Sequence, residues 1–174
     1  MKSKLKNICD LINDKISVNE LINANLQSAY ISTENMLPDK GGITAPSSIP
    51  CEGKITAYMP NDVLVSNIRP YFKKIWFATN QGGCSNDVLV FRAKDNISPD
   101  FLHYILADNA FFDYSMKTSK GTKMPRGDKA SIMEYEVPNI DYSLQIKSSV
   151  IPRLIDEKIM VNNKINENLW DAAA

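Results

Sequence analysis

The sequence predicts an α+β fold: a twisted, mostly antiparallel β domain with a few helices, followed by a long C-terminal α-helix. Three observations lead there. Four short apolar and β-branched runs follow one another between residues 54 and 93, separated only by tight turns. That spacing suits antiparallel pairing and leaves no room for βαβ crossovers. Helical spacing begins only at Ser98, and from Ile151 to Leu169 one apolar stripe repeats with helical period.

Taken in order, LKNICDLIN at 4–12 alternates loosely and is expected to form a first strand, and SAYIST at 28–33 a short second one. Leu37 to Gly53 holds Pro38, Gly41, Gly42, Pro46, Pro50 and Gly53, so it reads as a series of turns. Lys54–Met59, Val63–Ile68, Lys74–Thr79 and Val88–Ala93 read as strands, with NQGGCSND at 80–87 as a turn. Ser98 suits a helix N-cap, and Pro99 at the first helical position has no N–H to leave unpaired. Phe101, Leu102, Ile105 and Leu106 follow at helical spacing with His103 among them, a setting that reads as structural. A second helical run covers Ala110–Met116.

After an extended stretch at Tyr135–Pro138, Asp141 suits the N-cap of the last helix. Pro152 lacks an amide hydrogen and crowds the preceding turn, so a kink or break is expected near Ser149–Ile151. Ile151, Leu154, Ile155, Ile159, Val161, Ile165 and Leu169 fall in a stripe about 160° wide. Arg153, Asp156, Glu157, Asn163, Lys164 and Glu167 take the other side. The segment spans about 28 Å, long for a helix at the end of a small domain. Lys158 and Asn162 lie inside the stripe. A polar residue in a helix–helix seam costs stability but fixes register and partner number. The stripe either folds onto its own domain or meets a helix of another polypeptide; its length and polar members favour the second.

At 174 residues the chain suits one domain, or one domain with an appendage. Lys plus Arg equals Asp plus Glu at 20 each, which argues against bulk electrostatic attraction to nucleic acid but leaves room for a local patch. Residues 116–129, MKTSKGTKMPRGDK, supply one. Lys117, Lys120, Lys123, Arg126 and Lys129 face only Asp128 there, interleaved with Thr118, Ser119, Gly121, Thr122 and Gly127. Cations neutralise phosphates, and hydroxyls and glycine amides hydrogen-bond their oxygens. On composition the segment is either such a surface or a solvated loop.

Catalytic chemistry is sparse. Pro38-Asp39 followed by Glu52-Gly53-Lys54 matches the pattern of magnesium-dependent nucleases, but a Gly/Pro/Ser loop separates the halves. There is no Asn-Pro-Pro-Tyr or Asp-Pro-Pro-Tyr motif, no phosphate-binding glycine-lysine loop and no GxGxxG. Cys9, Cys51 and Cys84 are scattered and His103 stands alone, so no metal site and no cofactor are expected. No run is long and apolar enough for a signal peptide or membrane helix, and the expected setting is soluble and cytoplasmic.

Several segments resemble the specificity subunits of type I restriction-modification enzymes: YISTENM at 30–36, DVLVSNIRPYFKKIWF at 62–77, GGCSNDVLVFRAK at 82–94, KGTKMPRGDKASIMEYEVP at 120–138 and LQIKSSVIPRLIDEKIMVNNKINENL at 144–169. They occur in the family's order over nearly the whole chain. The resemblance implies a target-recognition, DNA-binding domain over 1–140 and a conserved-region helix over 141–174. It implies no catalytic centre, because S-adenosylmethionine binds the modification subunit. The partners it implies are double-stranded DNA, modification (methyltransferase) subunits and, where present, restriction subunits. A full specificity subunit carries two such domains and two helices packed antiparallel as a ruler between half-sites. This chain has one of each, so a two-fold homodimer through the helix, by Ile151, Leu154, Ile155, Ile159, Asn162, Ile165 and Leu169, is expected to read an interrupted palindrome. Arg69, in the SNIRP segment, and Lys117, Ser119, Lys120, Thr122, Lys123 and Arg126 are the expected DNA contacts. Arg69 either reaches DNA or braces the turn at Pro70 and Tyr71. Thr33, Glu34 and Asn35 either pack a loop or face bases. Asn80, Gln81 and Asn86 have amides able to read adenine, with turn geometry the plainer role. Trp170 and the residues after it depart from the family's usual charged ending. Two other functions fit parts of the sequence: a nuclease built on Asp39, Glu52 and Lys54, and an assembly protein that occupies modification subunits without reading DNA.

Overall fold

Alternation within the strands builds two sheets that share a buried layer. The computed structural model describes residues 2–173, and the side chains of these except 167 and 170–173. The first sheet has the order β2 (Cys9–Ile12), β9 (Val88–Ala93), β6 (Val63–Ser66), β7 (Ile75–Phe77), every pair antiparallel. The second has the order β3 (Lys15–Ser17), β5 (Lys54–Tyr58), β8 (Gly82–Cys84), β4 (Tyr30–Ile31), antiparallel except for β4 with β8. A separate pair joins β1 (Lys2–Lys4) to β10 (Glu136–Pro138).

Side chains two apart share a face. Val63, Val65, Leu89 and Phe91 therefore point one way from the first sheet, into a core with Leu102 and Leu106, Phe111 and Phe112, Ile132, Leu5 and Ile8. These come from α3 (Pro99–Ala107), α4 (Asn109–Lys117), α5 (Lys129–Met133) and α1 (Leu5–Ile8). Leu64, Val88 and Val90 point the other way and meet Ile31, Tyr58 and Cys84 of the second sheet. The outer face of that sheet is covered by α2 (Val18–Asn23), whose Val18 and Leu21 pack on Ile55. The expected α+β class, with mostly antiparallel sheets and a long C-terminal helix, α6 (Tyr142–Ala173), is what the chain forms.

Four local expectations change. The run 4–12 is not one strand: Leu5 and Ile8 form one face of a helical turn inserted between β1 and β2. Within 28–33 only Tyr30–Ile31 is strand, preceded by a 3-10 turn at Gln27–Ala29. The stretch 80–87 contains a buried strand, because Gly82 and Gly83 let neighbouring groups approach where any side chain would stand. Finally, α6 runs through Pro152 without a break. Proline removes one helical hydrogen bond, that to the Ser148 carbonyl, and the helix continues on both sides of it; one turn earlier the Ser148 and Ser149 hydroxyls donate to the Gln145 carbonyl at 2.9 and 2.8 Å. The caps hold as expected, with Ser98 Oγ accepting from Phe101 N and Asp141 Oδ1 from Leu144 N.

The three thiols differ in access. Cys9 and Cys84 are fully buried, and burial pushes both up to about 12, whereas Cys51 is exposed. A thiol reacts as its thiolate. One thiol per chain is expected to react quickly with a disulfide reagent in the native protein, and three after unfolding. Two fast thiols would contradict this packing.

Candidate nucleic-acid interface

The basic segment is less free than its composition suggests. Thr118 and Ser119 hydroxyls donate to the Tyr114 and Met116 carbonyls at 3.0 and 2.8 Å, which closes the end of α4. Gly121 turns with φ +90°. Reciprocal backbone bonds, Lys120 N to Arg126 O at 2.9 Å and Arg126 N to Lys120 O at 3.0 Å, then close the base of a loop. Its tip, residues 121–124, is exposed and carries Thr122 and Lys123. The descending arm is stitched to the chain after β6: Arg69 N donates to Pro125 O at 2.8 Å and Gly127 N to Asn67 O at 3.1 Å. A Cβ at Gly127 would lie 2.7 Å from Asn67 Oδ1 and from Ile132 Cδ1, so a larger residue there would have to displace both side chains for the arm to lie this close. Arg69 and the basic loop, far apart in sequence, thus become neighbours.

The cations divide into two groups. Lys120 pairs with Asp128, and Arg126 with Asp87 at 3.1 Å. The Lys120 hydrogen bond, helped by the Ser131 amide, holds the Asp128 carboxyl down at about 2. Among the described residues Arg69, Lys117 and Lys123 form no ion pair, and all three are exposed. An unpaired exposed cation gives up only hydration on meeting a phosphate; a paired one must first leave its carboxylate.

The other candidates have structural tasks. Asn35 is buried: its Oδ1 accepts from Ser32 N at 2.6 Å, and its Nδ2 donates to the Tyr30 and Thr44 carbonyls at 3.1 and 3.0 Å. Thr33 O accepts from Lys74 Nζ at 2.6 Å, while Glu34 is exposed. Asn86 Oδ1 accepts from Lys15 Nζ, holding the turn between the sheets. Asn80 and Gln81 are exposed in a bend. His103 lies between Phe77 and Tyr104, with ring centroids 5.3 and 5.0 Å away, and burial lowers its pKa. Asp39 sits in a loop bonded to residues 72–73, whereas Lys54 begins β5 in the second sheet and Glu52 precedes it in a bend. No cluster of three or more His, Cys, Asp or Glu able to hold a metal ion occurs among the described residues.

The C-terminal helix answers the question its stripe posed. Gln145 and Ser149 are buried, Pro152 is half-buried, and Asp156 Oδ2 accepts from Tyr104 Oη at 2.8 Å. Gln145 Oε1 also accepts from the Ser98 amide at 2.9 Å. These four positions lie on one helical face, so α6 meets its own domain through a polar seam. The apolar stripe is turned about 130° away from it. Ile151 is 68% exposed and Leu169 62%, with Leu154, Ile155, Ile159 and Ile165 each near half. Asn162 within the stripe is also exposed. The stripe is therefore not covered by its own domain. Glu167 and Trp170 to Ala174 lie outside the described side chains. No described helix is long and apolar enough to cross a membrane.

No protein-family model matches the chain. Over 81 residues, 47% of the chain, it is 30% identical to the EcoDI specificity subunit of a type I restriction enzyme from Escherichia coli, 18% of which is covered. It superposes on the HsdS subunit of Thermoanaerobacter tengcongensis with a TM-score of 0.69 at 17% identity, over 97% of this chain and 45% of that one. The specificity subunit from M. genitalium gives 0.65 at 15% identity, over 98% and 43%. The chain thus spans under half the length of these relatives. The resemblance read from the sequence holds in fold as well, over nearly the whole chain.

Proposed function

We propose that this chain, built on the fold of one half of a type I specificity subunit, recognises duplex DNA sequence-specifically and has no catalytic centre of its own. The observation that carries the reading is the juxtaposition of Arg69 with the loop at 120–126 on one face. In this reading, unpaired Arg69, Lys117 and Lys123 neutralise phosphates, and the loop tip enters a groove. The exposed stripe of α6 would join a second such helix, or the helix of a modification subunit. In that setting the chain directs methyltransferase subunits, and restriction subunits where present, to an interrupted target. A two-fold pair of such chains would read a palindrome. A second reading, an assembly protein that occupies modification subunits without reading DNA, gains support from the self-pairing of Lys120 and Arg126.

The salt dependence of binding separates the two. Each phosphate contact contributes about 0.9 to the slope of log affinity against log salt. The double variant Lys117→Ala, Lys123→Ala is expected to lower that slope by about 1.8. Lys120→Ala, removing a cation already held by Asp128, is expected to change it less. An unchanged slope in the double variant would rule out Lys117 and Lys123 as phosphate contacts.

A further inference from the structure

Beside Arg69 the chain makes a tight 3-10 turn, Pro70–Phe72, with a non-glycine residue in the left-handed region at each end. Arg69 has φ 49° and ψ 64°, although it precedes proline, and Lys73 has φ 51° and ψ 43°. Such conformations persist only where the surroundings enforce them. Here backbone hydrogen bonds do so: Phe72 N to Arg69 O, Lys73 N to Pro70 O, Arg69 N to Pro125 O, and the amides of Asp39 and Lys40 to the Phe72 and Lys73 carbonyls.

This rigid frame holds two aromatic side chains out of the core. Tyr71 is 48% exposed and Phe72 38%, with ring centroids 4.7 Å apart. Met124, next to the Pro125 that anchors Arg69, is 48% exposed. Adjacent large apolar groups at a surface forgo burial, and cations flank these along the chain: Arg69, Lys73 and Lys74, the last with Nζ 5.8 Å from the Phe72 centroid. Protein interfaces are depleted of lysine at their core. A rigid aromatic pair flanked by cations matches instead a nucleic acid, whose bases offer faces for stacking and whose phosphates accept the charge.

We propose that Tyr71 and Phe72 form a wedge that stacks against, and locally opens, a base step in the duplex bound by the basic loop. The wedge rests on the DNA-reading function and deepens it: backbone neutralisation falls to Arg69, Lys117 and Lys123, base-step distortion to the aromatic pair.

The test uses duplexes enriched by the wild-type chain from a random 40-base-pair pool, with modification subunit present if the chain alone enriches none. Permanganate reactivity then reports unstacked thymines, and affinity is measured across salt. Wild type is expected to create a hyperreactive thymine. Tyr71→Ala with Phe72→Ala is expected to abolish it and to weaken binding about 10- to 100-fold, with the salt slope unchanged. Tyr71→Phe with Phe72→Tyr, which keeps both rings, is expected to retain it. Wild-type binding without hyperreactivity at any thymine-containing step, or a double alanine variant with wild-type affinity and reactivity, would overturn the wedge while leaving DNA reading intact. Loss of modification-subunit binding in that variant, with DNA reactivity preserved, would overturn it in favour of a protein contact. Failure to enrich any duplex in either format would overturn the DNA reading and the wedge together. Phe72 is more than half buried, so the alanine variant is expected to melt somewhat below the wild type, and circular dichroism at the binding temperature checks that it stays folded.

Discussion

If copies of the chain pair through α6 as proposed, aspartate at both Ile155 and Ile159 is expected to leave a strict monomer without unfolding it. Both side chains lie on the exposed stripe of α6, near half exposed, about 100° and 60° round the helix from the Gln145, Ser149, Asp156 seam. Burying an isoleucine is worth about 1.5–3 kcal/mol. Each is about half exposed in the free chain, so pairing realises about half of that; in a two-fold pair each substitution counts twice, and removing four isoleucines costs about 3–6 kcal/mol, roughly two to four decades in dissociation constant. Buried carboxylates add to that. Light scattering should report twice 19.5 kDa for wild type and 19.5 kDa for the variant, with matching thermal melts. Asn162→Leu should tighten association while loosening its stoichiometry, because an apolar seam no longer selects one register. A wild type that stays monomeric at high concentration would end the proposed self-pairing.

Gly82→Ala is expected to be the most damaging single methyl group in the domain. The added Cβ would lie 2.4 Å from the Ala29 carbonyl oxygen and 2.5 Å from Tyr58 Oη, two groups bonded to each other at 2.7 Å. A backbone carbonyl in the β4 approach cannot swing aside, so overpacking and a broken buried hydrogen bond combine to about 3 kcal/mol or more. For a domain of this size that lowers the melting temperature by roughly 10 °C. Gly83→Ala should be milder: its Cβ would meet Ile55 Cδ1 at 2.4 Å, the far end of a side chain able to change rotamer. A Gly82→Ala protein melting within about 2 °C of wild type would contradict the packing of the two sheets.

Those glycines also show where sequence stops being legible. In NQGGCSND nothing local distinguishes a turn from a strand; the reason for glycine lies in Ala29, Tyr58 and Ile55, which approach from other elements. The strands at 63–66, 75–77 and 88–93 were readable because β-branched runs bounded by turn residues carry their own signal. Two short helices carried a signal that composition obscured. Ser17 and Glu20 form a capping box at α2, and Asp128 Oδ1 accepts from Ser131 N at α5. In the site, the basic loop showed in composition, and the stripe of α6 in its period. The pairing of Lys120 with Asp128 and Arg126 with Asp87, and the backbone bond from Arg69 to Pro125, did not. Asp87 and Pro125 each come from a different part of the chain, and local pattern carries no information about such meetings.

The central claim is that this chain reads DNA sequence. It is tested most directly by selecting duplexes from a random pool, with the chain alone and together with a modification subunit, and sequencing what is retained. The account predicts enrichment of one defined half-site, repeated as an interrupted palindrome if two copies pair through α6, with retention falling steeply as salt rises. A pool that emerges unenriched in both formats, while the chain still binds the modification subunit, would contradict it and leave assembly without DNA reading in its place.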